Sequence, residues 1–112
     1  MNGSPPKKGD IYWVSLNPSL GSETKKTRPC LVISNDIGNE KSGVVIVAPI
    51  TSSVNKVYPF EVALSVDGKN GKAMVNQCRA IDKSRLKKKI GKVDDAILNE
   101  VHIAIKIVFG LQ

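Results

Sequence analysis

The chain has 112 residues, room for one domain around one core, and an apolar fraction of 41%, which excludes a disordered chain. Aromatic residues supply only 4%, so the core must be built from Val, Ile, Leu and Ala. Seventeen Lys and Arg against ten Asp and Glu give a formal charge of +7, which has two readings: a nucleic-acid partner, or lysines that keep a surface soluble.

"MNGSPPKK" reads as a flexible arm over residues 1–8, ahead of a single domain over residues 9–112. The arm has no apolar stretch, which predicts no secretory signal. "GDIYWVSL" is rich in β-formers and reads as the first strand. "NPSLGSETKKT" follows as a polar loop, long for a hairpin, and long loops in compact domains are often functional. "RPCLVIS" is the second strand, "NDIGNEKSG" a turn-rich loop, and "VVIVAPI" a third strand, apolar on both faces and therefore central. That run is far too short to cross a membrane.

"TSSVNKVY" is polar loop again. In "PFEVALSV" the residues Phe60, Val62, Leu64 and Val66 share one face, and Glu61, Ala63 and Ser65 the other. "DGKNG" suits a hairpin turn, and "KAMVNQCRAID" reads as the next strand. "KSRLKKKIGKV" reads as a turn of helix and a short edge strand, where lysines discourage aggregation. The period then changes: Ile97, Val101, Ile105 and Val108 recur at helical spacing. Asp94 is the candidate N-cap, Val93 a staple onto Leu98, and Gly110 the stop. Ile103 and Ile107 make the opposite face apolar too, so the helix is covered either within the domain or by a partner subunit. A small curled sheet or barrel capped by a helix results.

Cys30 and Cys78 match no zinc spacing, and only His102 could join them; they read as buried small hydrophobes in a reducing cytoplasm. No acidic cluster suggests a metal, and no cofactor is expected. Arg28 stands before Pro29, which holds it extended at a loop–strand boundary. A guanidinium is not buried alone, so it meets water, a carboxylate such as Glu23 or Asp36, or a phosphate. Thr51 ends the central run. If the second and third strands are antiparallel neighbours, Arg28 and Thr51 reach the same rim, where cation and hydroxyl can clamp a phosphate. Glu23 is the nearest carboxylate that could take a proton. The tract from Lys69 to Lys92 carries a marked excess of Lys and Arg, a phosphate-tracking surface or a solvated edge.

"KKGDIYWVSLNPSLGSETKKTRPCLVISND", "VVIVAPITS", "YPFEVAL" and "NQCRAIDKSRL" together resemble the MazF/PemK family of toxins from bacterial toxin–antitoxin pairs, from about Lys7 to Leu111. The resemblance implies a mainly β fold, a small SH3-like β-barrel of the CcdB/MazF/PemK kind with a C-terminal helix, in a homodimer. It implies a sequence-specific endoribonuclease that cuts mRNA without ribosome or metal, leaving 2′,3′-cyclic phosphate and 5′-hydroxyl ends. Its catalytic arginine and threonine match Arg28 and Thr51, and its glutamate matches Glu23. Lys25, Lys26, Thr27, Ser52, Ser53, Lys56, Gln77 and Arg79 are the residues expected to contact RNA. The expected partners are single-stranded RNA and a cognate antitoxin with an acidic, partly disordered tail. A CcdB-like gyrase poison is the alternative, disfavoured because Trp13, the only tryptophan, lies far from the C-terminus. A non-catalytic RNA-binding barrel is the other.

Overall fold

The computed structural model describes residues 4–16 and 27–112. Strands β1 (Asp10–Ser15), β2 (Thr27–Val32), β3 (Val44–Thr51), β4 (Glu61–Val66), β5 (Lys69–Met74), β6 (Arg79–Asp82) and β7 (Leu86–Lys92) form one curled antiparallel sheet. Its order is β4-β5-β3-β2-β1-β7, with β6 also paired to β3. Helices α1 (Asp36–Lys41) and α2 (Asp95–Phe109) complete the chain. The fold is the expected one, mainly β and SH3-like, with a C-terminal helix.

From Val47 to Ile50 both faces of β3 are buried, which is why that part of the strand is apolar, whereas Val44 and Ile46 stay exposed on one face. Ile11, Leu31, Ala48 and Ile50 pack with Val62, Leu64, Val101 and Ala104 beneath α2. Val14, Cys30, Val32, Val45, Val47 and Ile81 form a second core. The alternation in β4 is as read: Val62 and Leu64 are buried, Ala63 and Ser65 exposed. The β4–β5 hairpin turns at Asp67 (φ 54°) and Gly68 (φ 79°), the left-handed pair that a two-residue hairpin turn needs.

The stretch "NDIGNEKSG" differs from the loop expected there, because residues 36–41 are helical. Asn35 caps that helix, its side chain accepting the Gly38 N–H at 2.8 Å, and Asp36 and Lys41 suit its two ends. The strand expected over residues 72–82 is broken. A 3-10 turn at Val75–Gln77 separates β5 from β6. In an unbroken strand Ala73, Val75 and Ile81 would share a face. Here Ala73 and Val75 belong to the core under α2 and Ile81 to the other, and the turn carries the chain between them.

At the start, Pro6 is buried, the Lys7 N–H donates to Asp10 at 2.9 Å and the Lys8 N–H to Asp36 at 2.7 Å. Helix α2 begins at Asp94, whose carboxylate accepts the Ile97 N–H at 2.9 Å, and ends at left-handed Gly110. Val93 and Leu98 converge over Gly9: a methyl group there would lie 3.5 Å from Val93 and 3.3 Å from Leu98. The opposite face of α2 stays open, with Ile103 58% and Ile107 47% exposed.

Candidate active site

Strands β2 and β3 pair with Cys30 opposite Pro49, Leu31 opposite Ala48 and Val32 opposite Val47. Carried two residues further, the same register sets Arg28 opposite Thr51. The ladder stops short of that pair. Beyond Pro49, β3 changes partner, and Ile50 and Thr51 pair with Ala73 and Lys72 of β5. Pro29 and Pro49 each lack an N–H for a ladder, which suits a place where strands part.

A cavity of about 360 Å³ lies there. Arg28, Thr51, Ser52, Asp67, Lys69 and Asn70 are its polar lining, and Trp13, Pro29, Ile50, Val66 and Ile90 its apolar wall. Arg28 and Thr51 are both half-buried. Thr51 Oγ1 accepts the Ser53 N–H at 3.2 Å, which leaves the hydroxyl proton to donate outward. Among the described residues no carboxylate lies within ion-pair distance of Arg28. Asp36, one carboxylate considered for it, belongs to the opposite end of β2 and accepts from Lys8. Glu23, the other, lies outside the described residues, as do Lys25 and Lys26. Cys30 is buried beside this site, and burial pushes its thiol up to about 12 against the lowering influence of Arg28 and Arg79, so it is no nucleophile near neutrality.

The cavity gathers Arg28, Thr51 and Ser52. Thr27 and Ser53 are exposed close by in sequence but off its wall. Lys56 is also exposed, its ammonium 5.2 Å from the Tyr58 ring. Gln77 is not in a strand: it sits exposed at the end of the 3-10 turn, its amide donating to Met74 Sδ at 3.6 Å. Arg79 donates to the Leu16 carbonyl at 3.3 Å.

The basic tract is likewise not one free surface. Lys72 is buried in an ion pair with Glu61 at 2.8 Å. Lys89 pairs with the buried Asp10 at 3.2 Å, and Arg85 donates to the Ser15 carbonyl at 3.1 Å. Sequence reasoning missed Trp13, which is 39% exposed and faces Pro29 across β1 and β2. Its β-rich surroundings carry no signal that it walls a cavity.

Residues 7–109 match the family of the PemK-like, MazF-like toxin of type II toxin–antitoxin system. An endoribonuclease of Mycobacterium tuberculosis is 39% identical over 110 residues, covering 90% of this chain and 93% of that protein. Endoribonuclease EndoA of Bacillus subtilis is 39% identical over 111 residues, covering 94% and 95%. The MazE–MazF crystal structure from Deinococcus radiodurans superposes with a TM-score of 0.84 at 29% identity, over 98% of this chain and 100% of that one. With the family model spanning nearly the whole domain, the chain belongs to the PemK-like, MazF-like toxins of type II toxin–antitoxin systems.

Proposed function

We infer that the chain is an endoribonuclease toxin that cuts single-stranded mRNA at the cavity shared by Arg28 and Thr51, independently of the ribosome and of metal ions. The observation that carries this reading is that those two residues line one cavity where β2 and β3 part, in a family whose relatives are named endoribonucleases. In the reaction the 2′-hydroxyl gives up its proton and its oxygen attacks the adjacent phosphorus. The bond from phosphorus to the 5′ oxygen breaks, and that oxygen takes up a proton. The ends are a 2′,3′-cyclic phosphate and a 5′-hydroxyl.

The role of the Arg28 guanidinium is to neutralise charge on the crowded phosphate. The Thr51 hydroxyl donates to a phosphate oxygen. Glu23 accepts the 2′ proton or orients Arg28. Lys25, Lys26, Thr27, Ser52, Ser53, Lys56, Gln77 and Arg79 contact the strand on either side. The exposed apolar face of α2 supports a homodimer. The net charge of +7 supports an acidic antitoxin segment as the inhibitor, acting in the cytoplasm.

The test is a long transcript incubated in EDTA with wild type, Arg28→Ala and Thr51→Ala, followed by mapping of the ends. Cleavage by wild type with cyclic-phosphate ends, and loss of it in both variants, is the expected result. Uncut RNA, or equal cutting by Arg28→Ala, rejects the reading.

A further inference from the structure

Lys72 is the only lysine among the described residues that the fold takes inside. Its side chain is 11% exposed and that of Glu61 7%. Its ammonium donates to Glu61 Oε1 at 2.8 Å and to the Lys56 carbonyl at 2.6 Å. The same Glu61 oxygen accepts the Tyr58 N–H at 3.0 Å, and the Glu61 N–H returns to the Tyr58 carbonyl at 2.8 Å. The Tyr58 ring lies 5.8 Å from the Lys72 ammonium and stacks on Phe60 at 5.3 Å. The backbone of Lys72, meanwhile, pairs with Thr51.

One residue therefore holds both ends of segment 52–60. Its backbone fixes the strand end that carries Thr51, and its side chain fixes the far part of the segment, which has no helix or strand of its own. A buried ion pair adds little net stability compared with well-packed aliphatic residues. An aliphatic side chain at position 72 could fill the space but could not reach the Lys56 carbonyl. The hydrogen bonds of the pair supply geometry rather than stability.

We propose that Lys72 is a positioning residue, given the assignment of Thr51 to the RNA-cutting site: paired with Glu61, it latches segment 52–60 so that exposed Ser52, Ser53, Val54 and Tyr58 meet the nucleotides beside the scissile phosphate in one arrangement. Lys72 itself touches no phosphate.

Lys72→Met alone leaves the Glu61 charge buried without a partner and can unfold the domain. The test is therefore the double variant Lys72→Met/Glu61→Gln, which removes both charges and keeps an acceptor for the Tyr58 N–H. Its circular dichroism spectrum is expected to match wild type. Amide hydrogen exchange should accelerate across residues 52–60 and stay unchanged elsewhere in the sheet. On a long transcript the kcat should fall about tenfold or more, with a smaller change in KM, because a displacement of about 1 Å in reacting groups costs up to about a hundredfold. Cut sites should also spread over more sequences. Unaltered exchange across 52–60 overturns the latch whether or not RNA is cut, and unaltered kcat with unaltered cut sites overturns its role in cleavage. Uncut RNA with wild type overturns the nuclease reading instead.

Discussion

Gly71 stands directly against Thr51: a methyl group on Gly71 would lie 3.0 Å from the Thr51 carbonyl oxygen and 3.1 Å from Ile50 Cγ2. Strand β5 approaches the end of β3 closely because that position has no side chain. Gly71→Ala must push Thr51 or bend β5, at a cost of about 1–3 kcal/mol. The expected outcome is a lower thermal midpoint together with slower cleavage. A wild-type midpoint and rate would mean that the backbone yields there without moving Thr51.

Arg28→Lys keeps a charge but loses the planar fork that grips two phosphate oxygens. It should retain a small part of the activity, and Arg28→Ala should lose about a hundredfold or more. Thr51→Val keeps the β-branched shape and removes only the hydroxyl. It should melt near wild type and cut about a hundredfold more slowly. Initial rates on one defined RNA, with melts of the same preparations, separate the two effects.

Stability should fall at both extremes of pH. Burial by itself raises the Glu61 pKa, but hydrogen bonds from the Lys72 ammonium and the Tyr58 N–H, with the Lys72 charge, hold it below its ordinary value of 4.5. The folded pKa is thus depressed. Its contribution is present above the unfolded value and is lost as pH falls through the folded one. Glu61→Gln should melt below wild type at neutral pH, with the gap closing in acid. Burial of Cys30 acts in the other direction, raising its thiol from 9.0 to about 12. That contribution is present below 9.0 and is lost as pH rises towards 12. Cys30→Ala should flatten the alkaline limb of a melt series run between those limits.

The apolar face of α2 should carry self-association. Ile103, Ile107, Phe109 and Leu111 are 47–61% exposed, a run of large side chains that water solvates poorly. Sedimentation of wild type should give a dimer, and Ile103→Glu/Ile107→Glu a monomer with the same fold. A dimer that survives this change would place the interface on another surface.

Much of the fold is legible in short-range pattern. Alternation marks β4, the Asp-Gly pair marks its hairpin, and the spacing of Ile97, Val101 and Ile105 between Asp94 and Gly110 marks α2. Each signal lies within a turn or a strand's length. That Arg28 and Thr51 line one cavity is legible too, because neighbouring antiparallel strands bring the start of one beside the end of the next. Helix α1 was hidden by residues that serve turns and caps equally well, and Asn35 acts here as a cap.

The sequence by itself determined the first four strands, the terminal helix, the basic character and two residues that line one cavity. Only the tertiary structure decided that Lys72 is interior, that Trp13 walls the cavity and that the chain breaks at Val75–Gln77 to change cores. The physical reason is range. Periodicity and capping act between residues a few positions apart, whereas the environment of a charge or an aromatic ring is set by strands that meet it from elsewhere in the chain.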